Sequence, residues 1–179
     1  MAAPEFKERD PTEIQQATLV FLVRGRGKDK EILLAMKKRG FGEGWWNGIG
    51  GKIEPGETPA LAALREGFEE VEVHLREIKK VALLHFYFPE DPKKRDWNQD
   101  VHVYFATNWL GEPKETEEMK PKWFKTADIP YENMWDSDPL WLPLILQGEK
   151  VEAWFNFDDR NKVLDYRIGK FSEEEQKED

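Results

Sequence analysis

The sequence predicts an α+β fold, an α/β/α sandwich in layer terms. Three observations carry this. Apolar runs with strand character recur along the chain. Turn-rich loops separate them, one of which, 41–51, holds five glycines at 42, 44, 48, 50 and 51. Helical periodicity is confined to two segments, one in the first half and one near the end, and mixed strands with two helices give that class.

In chain order, 1–16 is polar with Pro4 and Pro11 and is read as an extension before the core. The continuous apolar run ATLVFLV (17–23) predicts a buried strand. EILLAMK (31–37) predicts its return after a charged turn, which makes a hairpin. The glycine-rich loop, with Trp45, Trp46 and Asn47, passes through a short strand near Ile49. Thr58 is a helix cap and Pro59 suits the first helical position, where a missing N–H costs nothing. Helix formers then run to about Val71. At roughly 100° per residue, Leu61, Leu64, Phe68 and Val71 fall on one side, expected to face the core. Glu66, Glu69 and Glu70 fall on the other.

KVALLHFYF (80–88) and 100–108 are strand-like, joined by a polar connection at 89–98. A short edge strand at 122–124 follows Pro121. PLWLPLILQ (139–147) is the second helix, ended by Gly148, with Leu140, Trp141, Leu144 and Ile145 as its apolar stripe. Segments 152–157 and 162–167 form a last hairpin around DDRN. The tail SEEEQKED (172–179) reads as solvated. The expected division is an extension (1–16), one domain (17–170) and an acidic tail (171–179).

Composition excludes several classes of function. The chain has 179 residues and no cysteine, which leaves no disulfide framework, thiol nucleophile or thiolate metal site. Its 39% hydrophobic and 13% aromatic content, with eight Trp, argues for a folded core. No apolar run reaches the roughly 18 residues of a membrane span, and the N-terminal stretch lacks the layout of a signal peptide. A cytoplasmic protein with no membrane partner is expected. A net charge of −9 argues against a grip on polymeric nucleic acid. It leaves room for a nucleotide, because metal ions neutralise phosphates locally.

The spacing i, i+3, i+4 stacks Glu66, Glu69 and Glu70 within reach of one another. Like charges at that spacing cost a few tenths of a kcal/mol on an exposed helix. A hard divalent cation, which takes oxygen ligands and shares carboxylates with substrate phosphates, removes the conflict. A solvated acidic face partnered by Arg65 is the alternative that the helix alone leaves open.

The preceding residues shift the balance. Gly51, five residues, Glu57, seven residues, Arg65-Glu66, two residues, Glu69-Glu70 resembles the Nudix box, G-x5-E-x7-R-E-U-x-E-E-x-G-U, with U a bulky aliphatic. Gly67 and Glu72 depart from it, standing where an aliphatic residue and a closing glycine are usual. MKKRGFGEGWWNGIGGK, VHVYFATN, EEMKPKWF, NMWDSDPLWLPLIL and VLDYRI are similar to the MutT-homologue branch of that family, which sanitises oxidised purine nucleotides, and the similarity covers nearly everything from 18 to 168.

The resemblance implies a mixed sheet between helices. It also implies hydrolysis of 8-oxo-dGTP-like triphosphates to the monophosphate and pyrophosphate, with Mg²⁺ as cofactor and Mn²⁺ as the alternative. A small-molecule nucleotide is then the partner, and a monomer is expected. By resemblance, Glu66, Glu69, Glu70, the carbonyl of Gly50 and the loop acid Glu118 are metal ligands. Glu70 or Glu118 is the general base, and Arg65 orients the glutamates, together with Glu57. Lys37 is a candidate phosphate contact. The base-binding candidates are Thr18, Phe41, Asn47, Phe86, Phe88, Trp135, Ser137, Asp138 and Trp141. Ser137 replaces one acid of the family's adjacent pair, which predicts preference for oxidised guanine over oxidised adenine. The alternatives are a hydrolase of another nucleoside diphosphate-linked substrate (a methylated purine nucleotide, a dinucleotide, ADP-ribose) or a non-catalytic nucleotide-binding module.

Overall fold

In a computed structural model the chain is described over residues 14–40, 42–89 and 91–171. Most of the expected extension and nearly all of the acidic tail lie outside these residues, as does Phe41. The elements are a mixed β-sheet and two α-helices. Strands β1 (Gln15–Arg24) and β2 (Glu31–Lys37) form the expected hairpin, with Val23 opposite Ile32. β3 (Trp46–Asn47) pairs with β2 at Ala35 and Met36. After helix α1 (Pro59–Val71) come β4 (His74–Tyr87), β5 (Gln99–Leu110) and β6 (Met119–Lys125). Helix α2 (Asp138–Leu146) precedes β7 (Val151–Phe157) and β8 (Val163–Lys170). Hydrogen-bonded neighbours run β3-β2-β1-β5-β4-β7-β8, with β6 on β2. β4 and β7 are parallel while the other registered pairs are antiparallel, which makes the sheet mixed.

β4 and β6 are longer than the sequence suggests. β4 starts at His74, six residues early, because the charged stretch HLREIK hides its alternation. β6 runs through Pro121, which sits opposite Ala35 in a strand that pairs with β2 alone. An edge position tolerates a residue with no N–H to donate.

The chain divides into two compact units, and each is described by itself. One holds residues 17–80 and 103–135. Its core packs Val20, Leu22, Leu33, Ala35, Ile49, Ala63, Val71, Val73, Leu75, Tyr104, Ala106 and Met119. The other holds residues up to 16, 81–102 and 136 onward. There Trp141, Leu142 and Ile145 of α2 are buried, as are alternate residues of β7, Val151, Ala153, Phe155 and Phe157. This shifts the α2 stripe, since Leu142 is buried while Leu140 and Leu144 are only half-buried.

Helix α1 begins as predicted: the Thr58 hydroxyl accepts from the Leu61 N–H at 3.2 Å and Pro59 follows. Apart from Val71, the face it buries is not the one predicted. Leu61 (53% exposed), Leu64 and Phe68 (49%) face outward, while Ala62, Ala63, Glu66, Gly67, Glu70 and Val71 are buried. The small residues allow close approach: a Cβ on Gly67 would lie 3.0 Å from two atoms of Leu75. The helix therefore carries two of its carboxylates inward, and the reason lies in what receives them.

Candidate active site

Two of the three carboxylates of α1, and that of Glu57 before it, are held by one guanidinium. Arg65 Nε and Nη2 donate to the two oxygens of Glu57 at 2.8 and 3.0 Å. Its Nη1 donates to Glu66 Oε1 at 2.8 Å and to Glu69 Oε2 at 3.1 Å, and Nη2 also donates to the Lys52 carbonyl at 3.0 Å. The planar fork suits this, because its donors diverge in fixed directions and a lysine offers no equivalent. Glu57 is further anchored by the Glu54 N–H, and these hydrogen bonds hold its pKa down at about 2. Arg65 is in turn raised, chiefly by its bonds to Glu57 and against the cost of burial. Arg65 thus ties Glu57 to two of the helix glutamates by direct hydrogen bonds.

Glu66 and Glu70 are buried, whereas Glu69 is half-exposed. Burial raises the pKa of Glu66, opposed by Arg65. Burial also drives Glu70 up to about 8, and the neighbouring charge of Glu66 adds to it. Two contacts pull Glu70 down, the Gly50 N–H donating to its Oε2 at 3.1 Å and the field of Lys37. Glu118 acts by its charge on both Glu66 and Glu70. The structure therefore brings Gly50, Lys37, Arg65, Glu66, Glu69, Glu70 and Glu118 together in one unit.

Two glycines make the approach possible. A Cβ on Gly51 would collide with the Glu66 carboxylate, and one on Gly50 would collide with the Thr18 carbonyl. At 49 and 52 the loop is bridged to β1, through Val20 and Ala17. The glycines let it lie flat against that strand.

Among the described residues no group of three acids or imidazoles forms a ready cation cage. The reason is local, since Arg65 holds Glu66 and Glu69 while Glu70 faces the Gly50 amide. The donor set still fits a hard cation, consisting of four carboxylates (Glu66, Glu69, Glu70 and Glu118) and a backbone carbonyl, all oxygen. Two of those carboxylates are buried at a cost that positive charge offsets.

Sequence reasoning missed the residues that hold the Glu118 loop. The exposed Lys38 donates from Nζ to Glu115 Oε1 at 2.7 Å and to the Thr116 carbonyl at 2.9 Å. Its backbone N–H donates to the Glu118 carbonyl at 2.8 Å. Arg39 reaches Glu118 Oε1 at 3.4 Å. Only the charge pattern KKR (37–39) against ETEE (115–118) could have suggested the match.

The base-binding candidates fall in both units. In the first, Thr18 is 3% exposed and its hydroxyl has no hydrogen-bond partner among the described residues. Asn47 turns its side-chain oxygen to the Gly48 N–H at 2.8 Å, and Trp135 is half-buried. In the second, Phe86 near the end of β4 and Phe88 just beyond it both pack on Phe157, with ring centroids 5.7 and 4.9 Å away. Ser137 is fully buried, its hydroxyl without a hydrogen-bond partner among the described residues, and Asp138 is 3% exposed. Trp141 is fully buried and donates from Nε1 to Asp138 Oδ1 at 3.2 Å, so it orients that carboxylate. Asp136 does not replace the missing acid of the pair. Its carboxylate accepts from the Val163 N–H at 2.8 Å and faces Lys162 Nζ at 3.4 Å, pinning the start of β8.

Comparison with known proteins points the same way. Residues 13–145 match the model of the NUDIX domain family. The chain is 40% identical over 152 residues to an oxidized purine nucleoside triphosphate hydrolase of Danio rerio, covering 84% of this chain and 92% of that protein. It is 41% identical over 139 residues to the protein of the same name from Mus musculus, covering 78% and 86%. The crystal structure of a MutT protein from Bacillus halodurans superposes with a TM-score of 0.72 at 23% identity, over 87% of this chain and 97% of that one, a likeness of fold.

Proposed function

This chain belongs to the NUDIX family, and on that premise we propose that it hydrolyses oxidised purine nucleoside triphosphates, 8-oxo-dGTP among them, to the monophosphate and pyrophosphate. Nudix hydrolases use divalent cations, and Mg²⁺ is the ion assigned here, held by Glu66, Glu69, Glu70 and Glu118 with the Gly50 carbonyl. When bound, the ion supplies Lewis-acid stabilisation of phosphate charge. The protein's own part is positioning, which phosphoryl chemistry demands more than covalent help. Arg65 fixes the glutamates, Lys37 meets phosphate, and Glu70 or Glu118 accepts the proton of the attacking water. The observation that carries the reading is the five-bond Arg65 hub joining Glu57, Glu66 and Glu69 beside the Gly50–Glu70 contact.

Base recognition is assigned, on the likeness to the family, to Thr18, Asn47, Trp135, Phe86, Ser137 and Asp138, with Phe88 and Trp141 as support. A lone carboxylate at Asp138 favours the N–H groups of oxidised guanine. An adjacent pair of acids can share a proton and so also donate.

Pyrophosphate release with Mg²⁺ tests both halves of the proposal, comparing 8-oxo-dGTP with dGTP and taking Glu70→Gln as control. Strong preference for 8-oxo-dGTP, abolished in the variant, is expected. Equal turnover of both nucleotides removes the base assignment, and a fully active variant removes the metal site. Turnover of 2-oxo-dATP comparable to that of 8-oxo-dGTP removes the guanine preference, which Ser137→Asp should broaden.

A further inference from the structure

We propose that Thr116 is a positioning residue, whose single hydroxyl fixes the Glu118 loop against the end of α1 and so sets the place of the Glu118 carboxylate relative to those of Glu66 and Glu70. The inference rests on the reading of Glu118 as a metal-binding acid.

The argument starts from the end of the helix. The last four carbonyls of an α-helix have no partner within it. In α1 the Phe68 carbonyl takes the Glu72 N–H at 2.9 Å, and the Val71 carbonyl takes the Lys114 N–H at 3.0 Å. The Glu70 carbonyl, on the residue whose side chain faces Gly50, takes the Thr116 hydroxyl at 2.9 Å. The segment 114–116 thus caps the helix from a distance of more than forty residues in sequence.

A hydroxyl has one proton and two lone pairs. With its proton spent on Glu70, Thr116 Oγ1 accepts from the N–H groups of Glu118 at 3.3 Å and Met119 at 3.2 Å. One atom therefore links the backbone of Glu70 to the backbone of Glu118, and a shift in either is felt by the other. From the far side, the Glu118 carbonyl is held by the Lys38 N–H at 2.8 Å, and the Thr116 N–H closes the turn onto the Met119 carbonyl at 3.0 Å. With its N–H and carbonyl both fixed, Glu118 keeps only its side-chain torsions to adjust.

A threonine needed only to close a turn would bond Glu118 and Met119 and have no use for Glu70. The Glu70 bond makes the difference, and a valine of the same shape loses it together with the two bonds that the hydroxyl oxygen accepts. Groups that orient metal ligands from behind typically matter by 10–100-fold in affinity or activity.

The test compares Thr116→Val and Thr116→Ser with the full-length protein. It reads amide hydrogen exchange at Glu118 and Met119 without metal, Mn²⁺ affinity by calorimetry, and kcat and KM separately. Thr116→Val should speed exchange at both amides, weaken Mn²⁺ about tenfold and lower kcat with little change in KM. Thr116→Ser should match the parent throughout. A Thr116→Val protein with parental Mn²⁺ affinity and kcat overturns the proposal. Should that variant fail to fold, exchange in the parent protein decides. The Glu118 and Met119 amides must open together with the last turn of α1, and an independently opening loop overturns the tie. Glu118→Gln separates the two readings. If it leaves Mn²⁺ affinity unchanged, the assignment of Glu118 fails. If it lowers the affinity while Thr116→Val does not, only the positioning role fails.

Discussion

Glu72→Gly should stabilise the protein, and the amount can be worked from the backbone. Glu72 ends α1 in the left-handed conformation, with φ 58° and ψ 36°. A side chain there costs roughly 1–2 kcal/mol because its Cβ crowds the carbonyl, and glycine avoids this. The bonds that close the helix are backbone bonds, Glu72 N–H to Phe68 O at 2.9 Å and Val73 N–H to Gly67 O at 3.2 Å, so they survive the change. What is lost is an ion pair to Lys114 at 3.9 Å, with both side chains more than half exposed. Such pairs contribute about 0–1 kcal/mol. The balance is a gain of about 1 kcal/mol, or about 2–4 °C in melting temperature for a chain of this size. Thermal unfolding followed by circular dichroism reads it directly, with Glu72→Ala as control, since alanine drops the same ion pair and keeps the Cβ. If the glycine variant is no more stable than the alanine variant, the conformational argument is wrong.

Three further outcomes are expected. His85 has Asp100 Oδ1 at 2.6 Å from Nδ1 and Glu152 Oε1 at 2.8 Å from Nε2, with Gln16 bonded to Asp100, Trp154 stacked on the ring and Arg167 over Trp154. Burial opposes its charge, but the two carboxylates outweigh that and raise its pKa. The stability it contributes is therefore full below about pH 6.5 and lost as pH rises through the raised value. Chemical denaturation from pH 6 to 9 should show a decline that His85→Gln flattens, and an unchanged slope in the variant would refute the pairing. Gly51→Ala should cost at least about tenfold in turnover and weaken Mn²⁺ binding with the fold retained, because the new methyl displaces the Glu66 carboxylate; parental Mn²⁺ affinity by calorimetry would count against the close approach. Leu61→Lys should leave the melting temperature within about 2 °C, whereas Ala63→Leu should cost about 1–3 kcal/mol by overpacking; the reverse order would restore the helix face first predicted.

That last comparison shows where the sequence speaks and where it does not. The start of α1 was legible because Thr58 and Pro59 act locally. Its face was not. Periodicity weighs Leu61, Leu64 and Phe68 as the buried stripe and charged Glu66 and Glu70 as solvated. The burial of those glutamates depends on Arg65 and on the Gly50 amide, twenty residues from Glu70. The spacing of Glu57, Arg65, Glu66, Glu69 and Glu70 announced the chemistry all the same, because a shared counter-ion imposes fixed offsets. Partnerships across long loops left no local trace. The carboxylates on His85 come from 15 and 67 residues away, and Thr116 is one hydroxyl in a polar stretch. The two departures from the family pattern are now accounted for physically: Gly67 makes room for Leu75, and Glu72 occupies the strained turn in place of glycine.

The outward face of α1 has a consequence for handling the protein. Leu61, Leu64 and Phe68 are exposed in a row, and Leu64 and Leu110 line a shared hollow of about 510 Å³ with Leu75, His74 and Arg76. At neutral pH a net charge of −9 keeps molecules apart despite this greasy strip. Near pH 5, where the net charge vanishes, that repulsion is gone and the strip is left to drive clumping. Acidic buffers would then turn the protein cloudy well before they unfold it, and one lysine at position 61 should be enough to delay the onset.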